Sequence, residues 1–459
     1  MIQTLLDYYR VAPEMLGGVS AAPFPAAEAT GFFQFGANNI CYGRSRSGVA
    51  LNVAGSGQFD ALKDLRRDGT TIELPFNFTE VIQNLRQERY RQNLVPRMES
   101  FALSEPVRKL YYLARRFLPV SVRRHLQRAY FRDWEELPFP AWPVDFTVDT
   151  LHEELLRALL ETSGAKAVPF IWFWPKGAPN CLIMTHDVET RAGRDFTPAL
   201  MDIDDSYGIK ASFQVIPETR YEVQQGYVQN IRRRGFEFNV HDLNHDGQLY
   251  QERKEFLQRA TRINEYVKKF DARGFRAGVM YRNLDWYDAY DFSYDMSVPN
   301  VAHLEPQRGG CCTVFPYFVG KILEIPLTTI QDYSLFQILN NYSIDLWKKQ
   351  VEMIHKRHGL MSFITHPDYL IRPHARKIYE SLLEYLRQII EREKIWMALP
   401  GEVDRWWRAR REMKLVRDGG RWIIEGAESE RARVAFAIVE GDRLVYQIAG
   451  ALDRAEVHP

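Results

Sequence analysis

The sequence has few cysteines, no long apolar run and almost no net charge. Its four cysteines, Cys41, Cys181, Cys311 and Cys312, are too few to form a disulfide framework in a chain of 459 residues. It contains no stretch of about 18 apolar residues, so we expect no transmembrane span. The 60 basic and 59 acidic residues leave a net charge of +1, which excludes the strong basic excess of a dedicated nucleic-acid binder.

The start of the chain and one basic segment bear on where the protein acts. Residues 1–7 lack a basic stretch followed by an apolar core, so we expect no secretory signal and a location in the cytoplasm or at the inner membrane face. Residues 110–129 place arginines such as Arg115 and Arg123 among Leu, Tyr and Phe. This pattern favours a helix pair with a solvated basic face, broken at Pro119; a helix with weak membrane-surface contact is the alternative.

Three regions of the chain differ in pattern. Residues 1–145 are irregular, with a helix predicted to begin near Thr79, and we assign them to an accessory region of unknown role. Residues 146–412 alternate short apolar runs with helical patterns and form the predicted main domain. Residues 413–459 hold β-rich runs between Gly-containing turn signals at residues 418–420 and 440–442, which predict a small antiparallel β region.

The middle region predicts an α/β fold. Helical patterns cover residues 249–270, with Asp246 as the expected cap, and residues 344–357 and 376–391. Repeated alternation of strand and helix predicts parallel strands with helices outside. We therefore expect a distorted or incomplete (β/α) barrel, with an open doubly wound sheet as the alternative. The eight short apolar runs that predict its buried strands are 181–185, 211–216, 236–240, 275–277, 292–298, 322–326, 360–365 and 395–399.

Ionisable side chains occur at or near the carboxyl ends of five of these predicted strands. In a parallel α/β fold those ends lie on one face, where the loops build the active site. Each residue taken alone also fits a structural role, such as a turn acid, an ion pair or a helix cap. Their order and shared face favour a functional site formed by Asp187, Glu189, His241, His245, Arg276, Asp295 and His366.

A metal site is one use for some of these residues. His241 and His245 have i, i+4 spacing, which brings both imidazoles to one side of a helical turn or tight loop. Asp187 and Glu189 share one face at a strand end and can supply a carboxylate. Such a set suits Zn²⁺, and Mn, Fe or Co also fit. The alternative is two loop histidines that bind carbonyl groups, because a histidine pair alone is a weak signal.

The ordered set resembles the motifs of the NodB-homology polysaccharide deacetylases, carbohydrate esterase family 4, over a little more than half of the chain. The family's first motif, T-F-D-D-G, reads T-H-D-V-E at residues 185–189, and its second, H-[ST]-x-x-H, reads H-D-L-N-H at residues 241–245. Arg276 matches the third motif, R-x-P-Y, in which Gly278 replaces the proline. The fifth motif, L-x-H, reads I-T-H at residues 364–366.

The resemblance implies a base and a set of metal ligands. Asp187 matches the general base of the family. Val188 occupies the adjacent ligand position and cannot bind a metal, so Glu189 is expected to replace it. His241 and His245 match the two histidine ligands, and the implied cofactor is one divalent metal, with Zn²⁺ the first choice.

The resemblance also implies an acid and its supporting residues. His366 matches the general acid, and Arg276 matches the residue that orients the base. Asp295, in the sequence Y-D-M-S, is the nearest candidate for the aspartate that tethers the catalytic histidine, although the tryptophan that follows that aspartate in the family is absent.

The function implied is metal-dependent deacetylation of an acetylated sugar in a polysaccharide or its precursor, at nitrogen or oxygen. The expected partner is therefore a carbohydrate or glycan-precursor substrate. Two alternatives stay open. One is a hydrolase of a non-sugar amide on the same fold. The other is a carbohydrate-binding or assembly protein without catalysis, which Val188 and the altered loop after Arg276 favour.

Overall fold

A computed structural model describes residues 3–16, 19–21, 29–36, 39–48, 50–55, 57–94, 131 and 133–449. The basic segment at residues 110–129, and with it the predicted helix pair or membrane contact at Arg115 and Arg123, lies outside these residues. No helix of the described part is long and apolar enough to cross a membrane.

The described residues group into two compact units. The first is drawn from Met1–Leu94, Phe146–Ala178 and Arg405–Pro459, and the second from Val95–Asp145 and Pro179–Asp404. These units do not coincide with the three regions drawn from the sequence, whose division at residues 145 and 412 stays a prediction.

Strands and helices are numbered in chain order. The strands are β1 Val19–Ala21, β2 Gly31–Gln34, β3 Ile40–Gly43, β4 Arg66–Asp68, β5 Thr71–Leu74, β6 Ala167–Ile171, β7 Cys181–Val188, β8 Ala211–Val215, β9 Glu237–His241, β10 Gly274–Arg276, β11 Tyr294–Asp295, β12 Tyr317–Val319, β13 Ile322–Glu324, β14 Leu360–Thr365, β15 Trp396–Met397, β16 Lys414–Asp418, β17 Arg421–Glu425, β18 Val434–Glu440 and β19 Arg443–Ile448. The helices are α1 Gln3–Tyr9, α2 Phe78–Arg86, α3 Thr147–Ser163, α4 Arg191–Ser206, α5 Gln225–Arg233, α6 Arg253–Lys269, α7 Asp345–His355, α8 Pro367–Leu370, α9 Pro373–Glu393 and α10 Pro400–Glu412.

The first unit contains small sheets. Strands β1, β5 and β4 form one, and β2 pairs antiparallel with β3. The predicted C-terminal strands form where the turn signals place them, because Gly419, Gly420 and Gly441 supply the positive φ angles that the tight turns need. They divide between two sheets, since β16 pairs with β17 while β18 pairs with both β19 and β6.

The second unit contains one curled sheet with the strand order β12-β13-β11-β10-β9-β8-β7-β14. The pairs are parallel except for β12 with β13, and β15 joins the start of β7. All eight predicted strands are present, and the prediction of a distorted (β/α) barrel is confirmed. Every residue of β7 and β14 is buried, which explains why these strands appear in the sequence as continuous apolar runs.

Side-chain and backbone hydrogen bonds connect the segment after β13 to β14. The Thr328 hydroxyl donates to the carbonyl of Leu360 at 2.7 Å, and the amide of Thr329 donates to the carbonyl of Ser362 at 3.3 Å. The loop that follows β13 therefore runs beside the last strand of the sheet and reaches its carboxyl end.

The clearest predicted helix forms as α6, but its expected cap is wrong. Glu252 precedes α6, whereas Asp246 lies in a loop before it. The Asp246 carboxylate accepts a hydrogen bond from the amide of Gln248 at 2.9 Å and pairs with Arg259 at 2.7 Å. Because Asp246 satisfies a local turn, the helix begins several residues later than the sequence indicates.

Candidate active site

The carboxyl ends of four strands within the run β10-β9-β8-β7-β14 bring most of the predicted site residues together. Asp187 and Glu189 lie at the end of β7, His241 ends β9, and Arg276 ends β10, directly beside His241 in the register. His366 follows the last residue of β14 and is the residue before α8. The parallel topology thus produces the shared face that the sequence pattern predicts.

A carboxylate and two imidazoles form a group of metal-ligand type. The Glu189 Oε1 atom lies 2.9 Å from His245 Nε2 and 3.8 Å from His241 Nε2. One ligand atom from each of these three residues lies within 4.8 Å of the others. The structure therefore brings together Glu189, His241 and His245 as the sequence predicts, while their role as ligands stays a proposal.

The hydrogen bonds of the histidines fit a metal. His241 Nδ1 donates to the backbone carbonyl of Arg276 at 3.0 Å, which leaves Nε2 as the unprotonated atom that faces Glu189. Both histidine Nε2 atoms are buried and, among the described residues, neither has a hydrogen-bond partner of acceptable geometry. Buried polar atoms without partners are costly, and a divalent ion would satisfy both.

The electrostatics of Glu189 also fit a ligand. Burial would raise the pKa of its carboxyl, but the positive charge of protonated His245 foremost, and hydrogen bonds from the adjacent histidines, hold that pKa well below the usual value; a bound cation would act in the same direction. Glu189 therefore carries its negative charge at neutral pH, as a carboxylate ligand must.

The loop that carries His245 needs a glycine opposite it. Asp242 and His245 both adopt positive φ angles, 54° and 56°, so this loop turns tightly rather than forming a helix. A Cβ atom on Gly278 would lie 2.4 Å from Asp242 Oδ2 and 2.9 Å from His245 Cδ2. Glycine at this position thus lets the loop after β10 pack against the histidine loop, which explains the departure from the family's proline.

Asp187 is held by a buried arginine. Arg276 Nη1 donates to Asp187 Oδ1 at 2.6 Å and to the Thr185 hydroxyl at 2.8 Å, while its Nε donates to the carbonyl of Met296. Burial alone would raise the pKa of Asp187, but the charges of Arg276, His241 and His366, together with the hydrogen bond from Arg276, outweigh burial and lower that pKa. The second carboxylate oxygen lies 3.8 Å from His241 Nε2, at the edge of the ligand group.

His366 is held by Asp332 and not by Asp295. His366 Nδ1 donates to Asp332 Oδ1 at 2.7 Å, and the His366 amide donates to Asp332 Oδ2 at 2.8 Å. Burial would lower the pKa of His366, but the carboxylates of Asp332 and Glu189 raise it well above the usual value. His366 Nε2 lies 3.5 Å from Glu189 Oε1, so the ring nitrogen that does not bind Asp332 faces the ligand group.

The expected tether from Asp295 to His366 is therefore wrong. Asp295 lies on β11 and accepts hydrogen bonds from the hydroxyls of Tyr287, at 2.6 Å, and Ser297, at 2.7 Å. In the sheet order, β11 is far from β14, whereas the loop after β13 runs beside β14 and carries Asp332 to the histidine. The sequence signal that could have indicated Asp332 is an acid a few residues beyond the sixth predicted strand.

The resulting arrangement has two hydrogen-bonded pairs next to the metal-ligand-type group. In the Asp187–Arg276 pair, Asp187 Oδ2 lies 3.8 Å from His241 Nε2, and in the His366–Asp332 pair, His366 Nε2 lies 3.5 Å from Glu189 Oε1. This geometry can activate water, polarise a carbonyl and protonate a leaving group, which are the requirements of metal-assisted hydrolysis.

No protein-family model and no curated protein matches this sequence. Among solved structures, the chain is similar to a Mycobacterium smegmatis protein assigned as a polysaccharide deacetylase, with 17% identity, a TM-score of 0.42 and coverage of 54% of this chain and 97% of that one. It is also similar to the chitin deacetylase from Colletotrichum lindemuthianum, with 12% identity, a TM-score of 0.32 and coverage of 50% and 90%. A family 4 carbohydrate esterase from Streptomyces lividans matches with 11% identity, a TM-score of 0.31 and coverage of 48% and 93%.

Proposed function

We propose that the protein is a metal-dependent deacetylase that hydrolyses the acetyl group of an acetylated sugar in a polysaccharide or its precursor. One observation carries the proposal. The Glu189–His241–His245 group has next to it both a carboxylate held by an arginine and a histidine held by an aspartate. The motif resemblance supplies the substrate class, since the chemistry of these side chains alone is that of acyl hydrolysis.

Glu189, His241 and His245 would hold the metal, with Zn²⁺ the first choice for a carboxylate and two imidazoles. A divalent ion bound there would supply a Lewis acid that polarises the acyl carbonyl and lowers the pKa of water.

Asp187 acts as the general base. Its lowered pKa keeps it ionised at neutral pH, and its second oxygen, on the side of the ligand group, is the one that accepts a proton from the attacking water. Arg276 fixes the carboxylate through a charge-assisted bond, and Thr185 fixes the guanidinium in turn.

His366 acts as the general acid. Its raised pKa keeps the imidazole protonated at neutral pH, and Nε2 is the nitrogen that faces the ligand group. It donates its proton to the leaving nitrogen or oxygen of the sugar, while Asp332 holds the ring in orientation and stabilises its charge.

Acetate release from three matched substrates tests the proposal. Zn²⁺-loaded protein is incubated with N-acetylated oligosaccharides, O-acetylated oligosaccharides and simple non-sugar acetamides, with Asp187→Asn as the inactive control. Acetate from a sugar substrate, absent with the control variant, supports the proposal. Hydrolysis of the non-sugar amides alone would replace it with the amide hydrolase alternative, and bound metal without any hydrolysis would favour a binding protein.

A further inference from the structure

A buried hydrogen-bond network lies on the helix-facing side of strands β7 and β14. His186 Nδ1 is hydrogen-bonded to the Thr365 hydroxyl at 2.8 Å, and His186 Nε2 to Asp204 Oδ2 at 2.9 Å. The Tyr379 hydroxyl donates to the other oxygen of Asp204 at 2.7 Å. All four side chains are fully buried. The network thus joins β7 and β14 to helices α4 and α9.

This network faces away from the site, but two of its residues directly precede the proposed base and acid in the chain: His186 precedes Asp187, and Thr365 precedes His366. Side chains alternate along a strand, so Thr185 and Asp187 face the site while His186 between them faces the helices. His186 and Thr365 are direct partners in the parallel register of β7 and β14. Asp187 follows His186 in the chain, and His366 follows Thr365. The hydrogen bond across the two strands therefore joins the positions that carry the base and the acid.

Packing alone does not require polar groups here. The His186 ring packs against the rings of Phe213 and Tyr379, with 4.9 Å and 6.0 Å between ring centroids, so these surroundings would also accept an apolar ring. Burying polar groups is costly unless each is paired, whereas their hydrogen bonds have fixed directions and lengths that apolar contacts lack. The hydrogen bonds of this network therefore fix the separation of the two strand ends more closely than apolar packing would.

We propose that His186, Thr365 and Asp204 are positioning residues that fix the distance between Asp187 and His366. The proposal rests on the deacetylase function proposed above, because it concerns the same base and acid. Asp204 holds the His186 ring from α4, and the ring holds Thr365, so the two strand ends keep one spacing during proton transfer. None of these residues contacts the ligand group directly.

Kinetics of three single variants test the proposal. His186→Phe and Thr365→Val each remove the link between the strands, so each should lower kcat by roughly tenfold with little change in KM, because a small misplacement of reacting groups affects the chemical step. The double variant should lose no more than either single variant. Tyr379→Phe removes the hydroxyl that binds Asp204 and also interacts with Thr365, but it keeps the bond between His186 and Thr365, so it should have a much smaller effect.

A spectroscopic measurement on the full chain does not depend on the substrate. The ring ¹H–¹⁵N signals of His366 should shift in His186→Phe and Thr365→Val but not in Tyr379→Phe, with zinc content unchanged in all three. Unshifted His366 signals, or additive losses in kcat, would overturn the positioning role. If the wild-type protein hydrolyses no acetylated sugar while the His366 signals shift as expected, the deacetylase function is wrong and the coupling of the two strand ends stands.

Discussion

His366 Nδ1 lies 2.7 Å from Asp332 Oδ1, and the amide of the same histidine donates to Asp332 Oδ2 at 2.8 Å. One buried carboxylate therefore fixes both the ring and the backbone of the proposed acid. Because the carboxylate charge favours the imidazolium form, this contact also raises the pKa of His366.

Asp332→Asn should lower turnover by about a hundredfold or more, because the amide cannot stabilise the charged acid. The pKa of His366 should fall, so the alkaline limb of the pH–rate profile should move to lower pH. Asp295→Asn is the matched control, since Asp295 contacts Tyr287 and Ser297 instead of His366. Steady-state rates across pH check both variants, and a larger shift in the control would restore the assignment made from sequence.

The roles of the two carboxylates on β7 can be separated by metal content. Asp187→Asn keeps the size of the side chain but loses proton acceptance, so turnover should fall by about a hundredfold or more while the metal stays bound. Glu189→Gln should weaken metal binding, as should His241→Ala and His245→Ala, because each removes a proposed ligand. Elemental analysis alongside kcat distinguishes the two classes. Metal loss in Asp187→Asn with full occupancy in Glu189→Gln would mean that the roles are reversed.

Gly278→Ala should disturb the histidine loop. Its Cβ would meet Asp242 Oδ2 and the His245 ring at distances that require both to move. We expect metal affinity to fall by about tenfold or more, as for other changes to the groups that orient a ligand. Gly226→Ala in α5 is the control, since a Cβ there meets no atom within 4 Å. Competition with a chelator measures both affinities, and equal values for the two variants would exclude a steric role for Gly278.

The barrel contains a buried acid whose titration affects stability. Burial, together with the charge of Asp295, raises the pKa of Glu324 well above its usual value. A raised folded-state pKa means that protonated Glu324 contributes stability that is fully present below about pH 4 and is lost as the pH rises through the folded value.

Glu324→Gln should remove this loss, because the neutral amide keeps an oxygen for the bond from the Val298 amide. The free energy of unfolding of the variant, relative to wild type, should therefore increase between pH 4 and pH 8. Urea unfolding at several pH values measures this difference. A difference that stays constant over this range would mean that Glu324 titrates normally in the folded protein.

Local pattern was enough to predict eight of the nine described strands of the barrel sheet; β12 was not predicted. Buried parallel strands such as β7 and β14 are apolar on both faces, so they appear as short continuous runs bounded by polar residues. Since such strands point the same way, the sequence also predicts that Asp187, His241 and His366 share a face. The resemblance of the motifs added a proposed role for each residue.

Features that depend on contacts between distant segments could not be predicted in this way. Asp332 reaches His366 because the loop after β13 runs beside β14. The sequence shows an acid beyond the sixth predicted strand, but it does not indicate which side chain that acid contacts. The pairing of β18 with β6 joins residues more than 250 positions apart in the same manner. Asp246 failed as a cap because a local turn competed for its carboxylate.

Anomalous X-ray scattering from a crystal of the zinc-loaded protein tests the central claim most directly. We predict one strong peak about 2.0–2.2 Å from ligand atoms of Glu189, His241 and His245, with Asp187 and His366 close to it but not among the three ligands. A peak bound through Asp187 without Glu189, or no peak at this strand end, would contradict it.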